Sequence, residues 1–214
     1  MHVDLIHPLA EAYAAKYTSP EDSLLQEIHQ FTLAHHTEAH MLSGQVQGKM
    51  LEMISYMIRP RRILEIGTFT GYSALCLAKG MTDDGLLHTL ELREEDANRA
   101  RAFFDRSPFS SRIKVHTGPA LDTLAHLNEP WDLVFIDADK PAYTDYFNLV
   151  FPQVRKNGFI LADNIFFHGQ VLEPEVKGKS AKGIQAFNDF IQGRTDIEKT
   201  VLTIRDGLYL IRKL

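Results

Sequence analysis

Arg62-Ile-Leu-Glu-Ile-Gly-Thr-Phe-Thr-Gly-Tyr-Ser73 is the stretch whose reading decides the fold. Ile63, Leu64 and Ile66 form a short apolar run of the kind that becomes a buried strand. Gly67 and Gly71 interrupt it, and apolar residues resume at helical spacing from Ala74 to Ala78. Strand, glycine turn and helix in that order open a nucleotide-binding α/β sheet. The glycines are expected to let backbone approach a ligand where a Cβ would collide with it. The helix that follows starts with unpaired N–H groups and a positive dipole end, which suits a carboxylate or phosphate. The three-glycine dinucleotide spacing is missing. Glu65 closes the strand, and a second run, Leu86 to Leu92, carries Glu91, where an acid is placed to hold a ribose diol.

Strands and helices alternate downstream of this unit. Strands are expected at 62–66, 86–91, 113–116, 133–136 and 159–162. Helices are expected at 71–80, 94–106, from 118, at 141–151 and at 180–192. Gly169, Pro174 and Gly178 lie in a loop over 165–179 and give it the freedom of a lid. Two last strands, 196–204 and 207–213, flank Asp206-Gly207, a hairpin signal. The expected architecture is α/β: a Rossmann-like sheet of seven strands with an antiparallel last hairpin and helices on both faces.

Three helices are expected before the sheet. Residues 4–16 show helical spacing. Ser19 reads as a cap with Pro20 at the first turn of a helix running to His36. Ser43 to Ile58 carries Val46, Met50, Met53, Ile54 and Met57 on one face. Belonging to no strand–helix–strand unit, these helices should cover a cleft or a partner subunit, and a homodimer is expected. His35, His36 and His40 read as solvated or helix-end side chains, because no carboxylate joins them at ligand spacing. The whole chain, 1–214, reads as one domain, with N-terminal helices over 1–60 and the Rossmann-like core over 61–214.

Composition narrows the partners. With 214 residues, 44% hydrophobic and 24% charged, the chain has enough apolar material for a sheet between two helix layers. A net charge of −5 offers no general attraction for nucleic acid or anionic membrane. The basic cluster Arg59-Pro-Arg-Arg62 reads as a solvated turn. The one cysteine, Cys76, excludes an internal disulfide and reads as a buried thiol. No leader-like segment and no run of membrane-span length is legible, so a cytoplasmic location is expected.

Open α/β sheets bind ligands beyond the carboxyl ends of their strands. This chain places Glu65, Glu91, Asp137, Asp139, Lys140, Asp163 and Asn164 there. Oxygens from Asp137, Asp163 and Asn164 suit a hard divalent cation, Mg²⁺ above all, with Mn²⁺ or Ca²⁺ as substitutes.

Leu-Glu-Ile-Gly-Thr-Phe-Thr-Gly-Tyr-Ser (64–73), Gly-Pro-Ala-Leu-Asp (118–122), Val-Phe-Ile-Asp-Ala-Asp-Lys (134–140) and Ala-Asp-Asn (162–164) stand in one order. Together they resemble the cation-dependent class I O-methyltransferases of the caffeoyl-CoA and catechol type. The resemblance runs from Ser43 to the end. It implies S-adenosylmethionine (SAM) as cofactor, contacted by Ser43, Glu65, Gly67, Ser73, Glu91, Ala120 and Asp139. Glu91 would take the ribose, Ala120 the adenine edge and Ser73 the methionine carboxylate. It implies Asp137, Asp163 and Asn164 as metal ligands and Lys140 as catalytic base, its pKa lowered by the cation and by partial burial. Phe166, Phe167 and His168 would face a small hydroxylated aromatic acceptor. The segment Asn164-Ile-Phe-Phe-His168 departs from the family, where many relatives have a Trp and the plant enzymes an Asn at the position of His168. The expected function is divalent-metal-dependent methyl transfer from SAM to a hydroxyl of a catechol-like small molecule. Methylation of a hydroxylated tRNA uridine is the alternative, with a basic groove built from Arg59, Arg61 and Arg62. A non-catalytic SAM-binding regulator would need neither the metal set nor Lys140.

Overall fold

A computed structural model describes residues 5–214. The sheet begins with β1 (Arg62–Ile66), β2 (Leu86–Glu91), β3 (Ile113–Thr117), β4 (Trp131–Ile136) and β5 (Val154–Asp163). A hairpin of β6 (Ile197–Leu202) and β7 (Leu208–Lys213) completes it. The strand order is β3-β2-β1-β4-β5-β7-β6. Pairings from β3 through β5 are parallel, and those of β7 with β5 and β6 are antiparallel. The expected seven-stranded class I methyltransferase sheet is therefore present. The order of strand addition reverses between the parallel neighbours β1 and β4, and the crevice beyond their carboxyl ends is where this topology binds ligands.

The strand sequences explain the layering. Alternate residues point to opposite faces. Ile63, Leu133, Phe135 and Leu161 bury one face against α3 (Gly44–Ile58) and α4 (Tyr72–Ala78). Leu64, Ile66, Val134, Ile136 and Ile160 bury the other against α7 (Tyr143–Val150) and α8 (Lys179–Gln192). Both faces are covered, so these strands read as continuous apolar runs. Phe147 and Phe187, both fully buried, meet edge to face at 6.2 Å. Burying such a ring contributes about 1.5–3 kcal/mol.

The N-terminal helices differ in detail from the sequence expectation. α1 spans Pro8–Tyr17, and position 4, where it was expected to begin, lies outside the described residues. α2 spans Ser23–His35, because Asp22 supplies the cap: its carboxylate accepts from the Leu25 N–H at 3.0 Å. Ser19 and Pro20 therefore precede the helix. α3 buries Gln47, Gly48, Leu51, Ile54 and Ser55. Of the expected apolar stripe Ile54 is buried and Met50 packs on the core, whereas Met53 and Met57 are 52% and 72% exposed. A glycine and polar residues share the packed face because α3 lies close on α4: a Cβ on Gly48 would come within 2.6 Å of the Tyr72 ring.

Three further boundaries move. β4 starts at Trp131, β5 runs through the expected turn at Asn157, and the last hairpin is shorter than expected. Asn157 takes the turn's left-handed backbone (φ 63°) inside the strand, where the β4–β5 register shifts between Trp131 and Leu133. Between the parallel strands run α5 (Glu94–Phe104) and α6 (Ala120–His126). Cys76 is buried, and that burial pushes its thiol pKa upward, which leaves it inert as a nucleophile. Among the described residues, no helix is long and apolar enough to cross a membrane.

Candidate active site

A cavity of about 1230 Å³ opens beyond the carboxyl ends of β1, β2, β4 and β5. The glycine turn forms its floor, held by the Gly67 and Thr68 N–H groups donating to the Leu90 carbonyl at 2.9 and 3.1 Å. The glycines also answer a demand of the fold itself. A Cβ on Gly67 (φ 105°) would sit 1.9 Å from the Asp137 carbonyl oxygen, and one on Gly71 (φ 88°) 2.6 Å from the Phe104 ring. Close packing of protein on protein, with left-handed backbone, requires them.

Glu91, at the end of β2, faces the cavity and ties the turn down. One carboxylate oxygen accepts from the Phe69 N–H at 2.7 Å and the other from the Arg93 N–H at 3.0 Å. Ser43, Gly67, Ser73, Ala120 and Asp139 line the same cavity. Glu65 does not: it is fully buried behind Ser73, whose hydroxyl donates to it at 2.6 Å, while Thr89 donates to its other oxygen. Burial pushes its carboxyl up to about 8, against the pull of those two hydroxyls. Glu65 thus positions Ser73 and stands back from the cavity wall.

Across the cavity stand Asp137, Lys140, Asp163 and Asn164. Burial, then the neighbouring Asp137 charge, push the Asp163 carboxyl up to about 7. Its two oxygens accept from the Gln47 side-chain amide at 2.6 Å and the Asn164 N–H at 2.8 Å. Two carboxylates and an amide oxygen crowded in this way are a donor set that fits a hard divalent cation. Among the described residues no cluster of three or more His, Cys, Asp or Glu side chains is placed to hold a metal, so the set rests on the amide of Asn164 as third donor.

Of the cation and the burial expected to lower the Lys140 pKa, burial is the part that belongs to the protein itself. Burial works to lower it, but the Asp137 carboxylate at 2.8 Å and the Tyr143 hydroxyl at 2.9 Å outweigh burial, and the net shift is upward. Lys140 is an ammonium while Asp137 is its counter-ion.

Phe167 and His168 line the cavity and Phe166 does not. The Phe166 ring packs on the hairpin turn, where a Cβ on Gly207 would meet it at 2.5 Å. Asn164, Phe167 and His168 all hold left-handed backbone (φ 58°, 44° and 55°). Such strain collects at ligand sites. Asp206 fixes the turn by accepting from the His168 N–H at 2.6 Å. Residues 164–172 are thus a run of hydrogen-bonded turns within the 165–179 loop.

Several wall residues were not read as site residues from the sequence: Phe69 (φ 50°) and Tyr72 inside the 64–73 motif, Asp206 of the hairpin signal, and Tyr146 and Arg205. The Tyr72 hydroxyl donates to Glu21 of the N-terminal segment, and the Phe69 ring meets His36 edge-on at 4.5 Å. His36 in turn contacts the Asp96 carboxylate at 3.1 Å, a contact that packs α2 on α5. The basic cluster at the amino end of β1 points away from this chemistry: Arg61 pairs with Asp84 at 2.8 Å and Arg62 with Glu129 at 3.3 Å.

The family model for O-methyltransferases matches residues 15–214. The catechol O-methyltransferase of Niastella koreensis is 36% identical over 160 residues, covering 73% of this chain and 72% of that protein. A probable caffeoyl-CoA O-methyltransferase of Dictyostelium discoideum is 30% identical over 208 residues, covering 94% and 90%. An O-methyltransferase from Bacillus cereus, solved with S-adenosylhomocysteine (SAH), superimposes with a TM-score of 0.88 at 32% identity, covering 96% and 97%. One from Streptomyces achromogenes involved in tomaymycin synthesis, solved with SAM, gives 0.88 at 29% identity, covering 96% of each chain. This chain belongs to the O-methyltransferase family and is an enzyme of its SAM-dependent class.

Proposed function

We propose that this chain transfers the methyl group of SAM to a hydroxyl of a catechol-like small molecule, with a divalent cation, Mg²⁺ or Mn²⁺, held by Asp137, Asp163 and Asn164. The observation that carries the reading is the facing of two walls in one cavity: Glu91, Ser73 and Ala120 on one, and Asp137, Asp163, Asn164 and Lys140 on the other. The first wall has the acid, hydroxyl and open edge that a ribose, an amino-acid carboxylate and an adenine require. A bound cation would supply Lewis acidity that lowers the pKa of the acceptor hydroxyl. The relatives named for catechol and caffeoyl-CoA methylation support this acceptor class.

The chain's own part is positioning and proton handling. Asp137 is both a ligand and the Lys140 counter-ion. Once it serves as a ligand its charge is shared, and the burial of Lys140 acts to lower the ammonium pKa. Lys140 Nζ then becomes able to take the hydroxyl proton. Phe167 and Tyr146 offer aromatic surface for a planar ring. The exposed apolar residues Met53, Tyr56 and Met57 of α3, with Tyr13 and Tyr17 of α1, support a homodimer. Sedimentation at micromolar concentration should show twice the 24.3 kDa chain mass.

The test is methylation of catechol by the purified protein with SAM, before and after exhaustive chelation. Chelation should abolish turnover and Mg²⁺ should restore it, while Asp163→Ala loses turnover and keeps most SAM affinity. Full activity after chelation rejects the cation, and no methylation of any catechol rejects the acceptor class.

A further inference from the structure

Among the described residues, Arg205 has no ion-pair partner on the cavity wall. It lies between β6 and β7 with left-handed backbone (φ 46°), a conformation an arginine adopts only where the surroundings impose it. Its Nη1 donates to the Gln47 side-chain oxygen at 3.3 Å and its Nη2 reaches the His40 carbonyl at 3.5 Å. Both partners are neutral. Among the described residues no carboxylate stands within ion-pair distance of it, although five other arginines, Arg61, Arg93, Arg106, Arg155 and Arg194, meet one within 3 Å.

Neither nearby acid pairs with Arg205, although Asp206 Oδ2 is buried with no hydrogen-bond partner. Asp206 accepts from the His168 N–H, and its other oxygen faces the His168 ring at 3.7 Å. Glu38 faces His40 at 3.7 Å.

The placement is relayed through Gln47, which is fully buried. Its amide nitrogen donates to Asp163 at 2.6 Å, which turns its oxygen toward Arg205. One carboxamide therefore separates the guanidinium from a ligand of the proposed cation. A guanidinium carries five N–H donors, and two are used here, which leaves a fork matched to a carboxylate.

Resting on the function proposed above, we infer that Arg205 selects acceptors that carry a carboxylate: a catechol with an acid on the ring or on a short side chain, its diol toward Asp163 and its carboxylate toward Arg205. The acid neither gains nor loses a proton in the transfer. It fixes which end of the ring enters, and with it the rotation of the diol about the cation.

The experiment compares protocatechuate and caffeate with their methyl esters, which keep the diol and remove the charge. Wild-type kcat/KM should favour the acids over the esters roughly 10- to 100-fold, as expected for a charge-assisted pair. Arg205→Met should remove that preference by raising KM for the acids, lowering their kcat/KM at least tenfold more than that of the esters. Arg205→Lys should restore part of it. SAM affinity by calorimetry and the melting temperature show whether either variant is intact. Esters used as well as acids by the wild type, or equal losses for both in Arg205→Met, would overturn the role of Arg205 while leaving catechol methylation standing. Absence of turnover with every catechol, acid or ester, would overturn both readings.

Discussion

Gly67→Ala is the perturbation that most directly tests how β1 and β4 are held together over the site. The added Cβ would lie 1.9 Å from the Asp137 carbonyl oxygen and 2.8 Å from its carbonyl carbon. Those are backbone atoms, so no side chain can swing aside, and the strands must part by an ångström or more. The movement strains the Asp137 N–H to Ile66 carbonyl bond, 2.9 Å long, which joins the two strand ends. Placing alanine at φ 105° adds backbone strain of about 1–3 kcal/mol. Overpacking contributes about 1–3 kcal/mol and a weakened hydrogen bond about 1 kcal/mol.

Gly118→Ala is the matched control. It carries comparable strain at φ 128°, but a Cβ there meets nothing within 4 Å. The difference between the two variants isolates the clash, about 2–4 kcal/mol, or roughly 5–15 °C in melting temperature for a chain of this size. Circular-dichroism melts would read it, and Gly67→Ala should also lose methyl transfer, because Asp137 moves with its carbonyl. A Gly67→Ala protein that melts with Gly118→Ala or above it would refute the close approach of β1 and β4.

Three further outcomes are expected. Glu91→Ala should cost about 1–3 kcal/mol of SAM binding by calorimetry, through lost ribose contacts and a loosened Phe69–Arg93 turn; unchanged affinity would remove Glu91 from the cofactor site. Phe167→Ala should raise KM for a catechol and leave SAM affinity nearly untouched, whereas Phe166→Ala should act on the melting temperature, because its ring packs on Gly207. His88 is buried with no hydrogen-bond partner at Nε2, and burial, then the neighbouring His116, pull its pKa down to about 4 from 6.5. The unfolded chain takes up that proton first, so about 3 kcal/mol of stability present above pH 6.5 is lost as the pH falls toward 4. His88→Gln should flatten that acid loss in urea titrations, and equal pH slopes in the two proteins would count against it.

The strand–glycine–helix unit and the acids at the strand ends were legible because each is a local property. A buried parallel strand is an apolar run wherever it lies, and Glu91, Asp137 and Asp163-Asn164 are fixed to strand ends by sequence position alone. Ser43, Ser73 and Ala120 came from the resemblance to the family, and all three line the cavity.

What tertiary structure decided were contacts between residues distant in sequence. Gly67 must be glycine because of Asp137, about seventy positions away. Glu65 could be counted a cofactor contact until packing set it behind Ser73, and the Asp137 counter-ion of Lys140 appears only once the chain folds. Close helix packing sets the inner side of α3, where Gly48 meets Tyr72 and Ile54 of the apolar stripe is buried while Met53 and Met57 stay exposed. Arg205, at the far end of the chain, carried no motif. Only the folding of the β6–β7 turn against α3 brings its guanidinium to Gln47 and, through it, to Asp163. Periodicity reports which residues are buried in an element; charge balance in a cavity depends on which elements meet there.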